Sequence, residues 1–275
     1  MPTISSYSGA AGEPPFFVGA GRLRWEGRGR AMTYCVALYL KDGLVMLSDT
    51  RTNAGVDHIS IFSKMHVFEE PGDRMIALMT AGNLSLTQSV VALIQEGVEL
   101  DGEIRTISNV TGMFQAAQLV GAAVRQVWKR DGNALKDQRV DFDLSIILGG
   151  QIHGDRVRLF HVYAAGNFIE ATTDTAFFQI GEHKYGKPIL DRALNHDTPI
   201  EDGMKLVLIS MDSTLRSNLT VGLPLDLIAY RRDSLKLETR RRIGEDDPCF
   251  KEISDGWSQA LREAFRSLPP PKWAD

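Results

Sequence analysis

The chain has 275 residues, of which 43% are hydrophobic and 24% are charged. This composition is typical of a globular protein and excludes collagen-like, disordered and disulfide-scaffold classes. The formal net charge of −4 argues against a positive field for nucleic acid or membrane surfaces. The only two cysteines, Cys35 and Cys249, are too few for a disulfide framework or a cysteine zinc site. No apolar run approaches the roughly 20 residues of a membrane span, so we expect a cytoplasmic protein with no membrane or nucleic-acid partner.

Residues 1–32 form a leader that is rich in Gly, Pro, Ser and Ala and has no helical or strand period. Its arginines follow the apolar patch at 16–18, which is the reverse of a secretory signal. Three interpretations remain open: a propeptide, a disordered tail, or a start codon assigned too far upstream. Met32 favours the third, because an initiator methionine is normally removed before a small residue such as Thr33.

Hydrophobic patterning in the first half of the chain predicts two hairpins followed by two helices. The turn sequences of the hairpins are Asp42-Gly43 and the run at 70–73, and Asn83 is a helix N-cap candidate. Gly97 and Asp131-Gly132 are expected to end the two helices. The predicted elements are strands at about 33–41, 44–50, 64–70 and 73–81 and helices at about 84–97 and 109–130.

The second half repeats this order and then adds a final hairpin and a final helix. The predicted elements are strands at about 142–150, 156–164, 168–171 and 176–180, helices at about 187–195 and 200–217, strands at about 223–231 and 235–242, and a helix at about 251–266. Strands joined by tight turns are antiparallel, which disfavours a doubly wound parallel sheet. The prediction is therefore an α+β fold: a four-layer αββα sandwich of two antiparallel sheets, forming one domain from 33 to 275.

The start of the first strand also carries the candidate chemistry. A hydroxyl nucleophile needs a base beside it, and the α-amino group of an N-terminal Thr33 can be that base. A nearby lysine ammonium would lower the pKa of that amine, and an aspartate would hold the lysine in place. Asp49 and Lys64 are the candidates for this pair. Gly82 lies in a strand-to-helix turn, where an amide can stabilise a developing oxyanion.

These residues and their order resemble the proteasome β-subunit pattern, and more specifically the bacterial proteasome-related family called Anbu, the "ancestral β subunit". The resemblance covers Thr33 to about Phe265. The segments that carry it are the run at 48–57 (SDTRTNAGVD), Lys64, Ala81-Gly82-Asn83, and the run at 210–219 (SMDSTLRSNL).

The resemblance implies a role for each matching residue. Thr33 would be the nucleophile, Asp49 and Lys64 would orient and tune it, and the Gly82 amide would serve the oxyanion hole. Thr80 matches the position at the base of the S1 pocket. Further candidates for the pocket wall are Thr52 and Leu84.

This sequence also departs from the proteasome pattern. Lys64 is one residue closer to Thr33 than is usual, and the following hairpin is longer. Where proteasome subunits have a supporting serine in a Gly-Ser-Gly turn, this chain has Gly181-Glu182. The remaining supporting positions have no clear alignment. The candidates for supporting residues are Arg51, Glu182, Asp212 and Ser217, and Ser213 and Asn218 compete for the last positions.

The resemblance implies a threonine peptidase that forms an acyl-enzyme on Thr33 and needs neither a cofactor nor a metal. It also implies self-assembly as a closed ring or an open helical stack, with peptide or unfolded protein as substrate and an unfoldase partner left unidentified. Two alternatives remain: a self-assembling protein of the same fold with little or no proteolytic activity, and an amidase that acts on a small amide by the same mechanism.

Overall fold

The computed structural model describes residues 33–53 and 59–273. The leader, about which three interpretations were open, lies outside the described residues. The strands are β1 (Tyr34–Leu40), β2 (Gly43–Asp49), β3 (Arg51–Asn53), β4 (Ile59–Ile61), β5 (Met65–Glu70), β6 (Arg74–Gly82), β7 (Val98–Leu100), β8 (Glu103–Arg105), β9 (Leu144–Ile152), β10 (Arg158–Val162), β11 (Phe168–Glu170), β12 (Phe177–Gly181), β13 (Leu225–Arg231) and β14 (Thr239–Ile243). The helices are α1 (Leu84–Glu96), α2 (Met113–Asp137), α3 (Lys187–Ala193), α4 (Ile200–Ser217) and α5 (Pro248–Ser267).

Two antiparallel five-stranded sheets form the centre of the molecule. One has the order β12-β1-β2-β13-β14 and the other the order β11-β10-β9-β6-β5. One apolar cluster lies between the sheets, a second joins α1 and α2 to the β9–β6 sheet, and a third joins α3, α4 and α5 to the β1–β2 sheet. The four-layer αββα sandwich predicted from the sequence is therefore confirmed.

Strand β2 shows why a continuous apolar run forms the centre of a sheet. All seven of its residues are buried. Leu44 and Met46 face the cluster between the sheets, whereas Val45 and Leu47 face the helices. Because successive side chains of a strand point to opposite faces, both faces of β2 are apolar.

The first hairpin is present as predicted, but its two turn residues are Lys41 and Asp42, because Leu40 and Gly43 already pair. Gly43 instead begins β2, where the neighbouring strand passes very close. A Cβ at this position would lie 1.9 Å from the carbonyl oxygen of Tyr230. The glycine is therefore required by strand packing rather than by the turn.

The prediction that Asp131-Gly132 ends the second helix is wrong, because α2 continues to Asp137. A single glycine inside a helix costs only about 1 kcal/mol relative to alanine, which packing can offset. The helix also begins later than predicted, at Met113, whose N–H donates to the Asp155 carboxylate at 2.7 Å. A tertiary cap therefore decides where α2 begins.

The prediction of a final strand from residue 235 is also wrong, because β14 begins at Thr239. The chain before it turns through Asp233 and Leu235, both of which have positive φ. This turn docks on the hairpin between β5 and β6, where the Gly72 N–H donates to the Leu235 carbonyl at 2.9 Å. Among the described residues, no helix is long and apolar enough to cross a bilayer.

Candidate active site

Thr33 lies directly before β1, at the end of the sandwich where β12 ends beside it. The residue is only 5% exposed. Its carbonyl oxygen accepts a hydrogen bond from the Glu182 N–H at 2.6 Å. Gly181, with φ +81°, allows this approach, because a Cβ there would lie 1.8 Å from the Thr33 carbonyl oxygen. The sequence Gly181-Glu182 therefore holds the backbone of Thr33 in place.

Asp49 and Lys64 form a buried ion pair at the same end. The Lys64 Nζ atom lies 2.7 Å from Asp49 Oδ1 and also donates to the Arg51 carbonyl at 2.7 Å. The Tyr34 N–H donates to the same Oδ1 atom at 3.1 Å. One hydrogen bond thus ties this ion pair to Tyr34, the residue that follows Thr33, and a second ties it to the backbone of Arg51.

Burial raises the pKa of the Asp49 carboxyl above its ordinary value, although the Lys64 ammonium opposes this shift. The Gly222 N–H, which is near this carboxylate but outside hydrogen-bond geometry, also lowers the pKa. Within the described part of the chain, Asp49 Oδ2, Ser48 Oγ and Arg51 Nε are buried without a hydrogen-bond partner. Unsatisfied buried polar atoms are rare in proteins, and a buried carboxylate with a shifted pKa beside a charged partner is a candidate functional group.

The end of β6 reaches the same region. The Thr80 N–H donates to the Lys64 carbonyl at 3.0 Å, and the Thr80 carbonyl lies 3.8 Å from the Cys35 Sγ atom on β1. Gly82 has φ +105°, and a Cβ there would lie 2.3 Å from the Asp143 carbonyl oxygen. Both the backbone angle and the close approach require glycine at this position.

Helix α1 begins directly after this strand, as the sequence predicted. Asn83 caps it by accepting the Ser85 N–H at 3.0 Å. Of the predicted pocket residues, Thr80 is buried on β6, Leu84 is the first residue of α1 and is partly exposed, and Thr52 is partly buried on β3.

The predicted supporting residues do not all come together. Glu182 is buried and lies next to Thr33, and the Arg51 side chain packs against Gly222. Asp212 instead accepts hydrogen bonds from Arg216 at 3.0 Å and from Ser254 on α5 at 2.7 Å. It therefore joins two helices.

Ser217 is exposed at the end of α4, and the next residue makes the contact with the site. Asn218 Nδ2 donates to Glu182 Oε2 at 3.2 Å. The sequence offered Asn218 only as one of several competing positions, and its role as the C-cap residue of α4 was the available signal.

Within residues 33–53 and 59–273, no three His, Cys, Asp or Glu side chains are close enough to hold a metal ion. The polar groups that the structure places around Thr33 are its own side chain, the Asp49–Lys64 ion pair and backbone amides. Such groups can activate a hydroxyl once a base stands beside it, and an amide N–H can stabilise an oxyanion.

No protein-family model matches the chain. Among curated proteins it is similar to the proteasome subunit beta of Methanocaldococcus fervens, with 24% identity over 235 residues, covering 85% of this chain and 94% of that one. The corresponding protein of Methanocaldococcus vulcanius is 25% identical over 228 residues, covering 81% and 94%.

The solved structures give a stronger match. The Anbu (ancestral beta-subunit) protein from Yersinia bercovieri is 53% identical with a TM-score of 0.81, covering 88% of this chain and all of that one. Anbu from Hyphomicrobium sp. strain MC1 is 49% identical (TM-score 0.78, covering 87% and 100%). A structure described as the helical assembly of the Anbu complex from Pseudomonas aeruginosa is 48% identical (TM-score 0.81, covering 88% and 100%). On this geometry and these similarities, the chain belongs to the Anbu family, which has the fold of proteasome β-subunits.

Proposed function

We propose that this protein is an N-terminal-nucleophile threonine peptidase whose nucleophile is Thr33. The observation that carries the proposal is the buried Asp49–Lys64 ion pair, which hydrogen bonds connect to the N–H of Tyr34. Burying an ion pair is costly and contributes little to stability, so its place beside Thr33 favours a role in reactivity.

The reaction begins with the α-amine of Thr33, which becomes free when Thr33 is the first residue. This amine takes the proton of Thr33 Oγ as the oxygen attacks the carbonyl carbon of a peptide bond. The Lys64 ammonium favours the neutral amine, and Asp49 keeps Lys64 charged and in place. The Gly82 N–H stabilises the oxyanion of the tetrahedral intermediate.

Collapse of this intermediate breaks the C–N bond, and the proton held by the α-amine goes to the leaving amino group. The acyl group remains on Thr33 Oγ as an ester. The α-amine then activates a water molecule, which hydrolyses the ester and restores the free hydroxyl. Every proton is returned, so the cycle needs no cofactor.

The S1 pocket in this proposal is built from Thr80 at its base with Thr52 and Leu84 in its wall. These side chains carry no formal charge, which favours a neutral P1 residue over an acidic or basic one. Peptides and unfolded protein segments are the proposed substrates, because the reaction cleaves a peptide bond.

We also propose that the protein works in the cytoplasm as a homo-oligomer. The Pseudomonas aeruginosa relative is described as a helical assembly. In this chain the C-terminal half of α5 leaves apolar side chains uncovered: Leu261 is 50% exposed and Phe265 is 77% exposed. Exposed apolar stripes of this kind are typical of subunit contacts.

The proposal is tested with a peptide epoxyketone, whose ring-forming reaction requires both the hydroxyl and the free amine of an N-terminal threonine. The protein is expressed from its native upstream DNA, and its intact mass shows whether Thr33 is the first residue. We expect one probe to bind per Thr33-first chain.

The Thr33→Ala variant should lose labelling by at least a hundredfold, whereas Thr173→Ala, an exposed threonine between β11 and β12, should label normally. If assembled wild-type protein with a free Thr33 does not label, the peptidase proposal fails and the assembly alternative replaces it. Competition between peptides and small amides for the probe separates peptidase from amidase action.

A further inference from the structure

The carboxylate of Glu182 is buried, and no cationic side chain in the part of the chain that the structure describes forms an ion pair with it. The residue is 6% exposed. Its Oε1 atom accepts the Lys184 N–H and its Oε2 atom accepts Asn218 Nδ2, each at 3.2 Å. Both donors are neutral, and a buried carboxylate ordinarily requires a positive partner.

The position of this carboxylate makes the lack of a positive partner more costly. Its partner Asn218 is the C-cap residue of α4, so Glu182 lies at the negative end of an 18-residue helix. A helix C-terminus favours cations and disfavours carboxylates. Glu182 is therefore held where a nearby cation would stabilise its carboxylate.

The charged groups around this corner of the site do not supply that cation. Lys64 is bound to Asp49, and Arg216 is bound to Asp212. Lys184 contributes its backbone N–H and its side chain is exposed. His183 is exposed too, with its Nδ1 atom 3.3 Å from the Gly181 carbonyl. The Arg51 side chain packs against Gly222, and its buried Nε atom makes no hydrogen bond to Glu182.

One further cation, the α-ammonium of Thr33, arises beside Glu182 when Thr33 becomes the first residue. The Glu182 N–H already holds the Thr33 carbonyl at 2.6 Å, so the carboxylate and the new α-amine belong to two adjacent residues of the same hydrogen-bonded contact. An α-ammonium has a pKa of roughly 7.7–8 when unperturbed, so it is largely charged at neutral pH.

We propose that Glu182, anchored by Asn218, is the counter-ion of the Thr33 α-ammonium and a positioning residue for it. This inference rests on the proposed function and deepens it. Glu182 favours the protonated amine, whereas Lys64 favours the neutral amine, so the two opposing charges together set the pH at which Thr33 becomes reactive. The acid limb of the activity profile should then depend on Glu182.

The test measures the pKa of the amine directly, by competitive acylation of the N-terminus with acetic anhydride across a pH series and quantification by mass spectrometry. It uses the chain that begins at Thr33. We expect Glu182→Gln to lower the amine pKa by about one unit, since an opposite charge at short range shifts a pKa by about 1–3 units.

Asn218→Ala, which frees the carboxylate from its anchor, should lower the pKa by a smaller amount. This second variant keeps the proposal testable if Glu182→Gln does not fold. The matched control is Glu252→Gln on α5, an exposed carboxylate, for which we expect no shift. A structural role alone would lower the unfolding temperature and leave the pKa unchanged.

A shift below about 0.3 units in both variants, or a shift upward, would overturn the proposal, as would the absence of any chain that begins at Thr33. Acylation needs no peptide turnover, so the two proposals can fail separately. A pKa shift without epoxyketone labelling would leave the counter-ion role intact and reject the peptidase. Epoxyketone labelling without a pKa shift would support the peptidase and reject the counter-ion role of Glu182.

Discussion

The two ends of the sandwich differ in whether their buried polar groups are paired. At the end far from Thr33, Gln151 joins the two sheets: the Tyr230 hydroxyl donates to its Oε1 atom at 2.7 Å, and its Nε2 atom donates to Asp233 at 2.6 Å. At the Thr33 end, Asp49 and Ser48 each keep a buried oxygen without a partner.

Under the proposed function, this difference separates a structural network from a reactive one. A fully paired network stabilises the fold because every desolvated group regains a hydrogen bond. An ion pair with unsatisfied neighbours costs stability, and such costs are typical of sites where pKa values are tuned. Three predictions test whether the two ends differ in this way.

The largest expected effect comes from Lys64→Met. Removing the lysine leaves the Asp49 carboxylate buried and unpaired, which should lower the free energy of unfolding by about 3–5 kcal/mol at neutral pH. Urea unfolding at a fixed protein concentration measures this. The control is Lys205→Met on α4, whose partner Asp202 is exposed; it should change the free energy by less than about 1 kcal/mol. Equal losses in the two variants would contradict the comparison.

A second prediction concerns pH. Because burial raises the pKa of Asp49 above the ordinary 3.8, the folded state binds this proton more tightly than the unfolded state. The resulting stabilisation is complete below pH 3.8 and is lost as the pH rises through the folded-state pKa. The stability of the wild type minus that of Asp49→Asn should therefore fall as the pH rises from 4 to 7, by at most about 1.4 kcal/mol per pH unit.

Urea unfolding of both proteins at pH 4, 5.5 and 7 gives this difference. The exposed Asp191→Asn variant provides the control, because its stability difference from the wild type should vary less with pH. A stability difference that grows with pH would show that Lys64 outweighs burial and lowers the pKa of Asp49 instead.

The smallest expected effect is at the far end. Tyr230→Phe removes the hydrogen bond to Gln151, whose Oε1 atom still accepts the Asp233 N–H at 2.8 Å, and the longer one that the hydroxyl accepts from the Leu235 N–H at 3.2 Å. The free energy of unfolding should fall by about 1 kcal/mol. Labelling of Thr33 should be unchanged. A loss of labelling would show that the far network also controls the site.

The sequence was most informative where local chemistry and long-range structure agree. The Asn83 cap, the first hairpin and the buried apolar strand β2 follow from short-range rules, and all are present. The sequence did not predict the ends of elements that are set by tertiary contacts. Helix α2 runs past Gly132, and β14 begins later than predicted because the preceding turn docks on a distant hairpin.

The same division applies to the candidate site. The sequence alone proposed Thr33, Asp49, Lys64 and Gly82, because a nucleophile, a charged pair and an amide donor leave recognisable residues at characteristic spacings. It did not identify the contact between Glu182 and Asn218, which are 36 residues apart. No local pattern marks such a pair.

The sequence by itself thus determined the order of the five helices and of the strands of the two large sheets, and it supplied the candidate residues around Thr33, since these depend on hydrophobic period, turn residues and motif spacing. The short hairpins β3-β4 and β7-β8 were not predicted. Tertiary structure decided which polar groups are buried, which are paired and which carboxylate lies beside Thr33. Burial and pairing are properties of residues brought together from distant parts of the chain, and they set the charge balance on which the reactivity of a threonine depends.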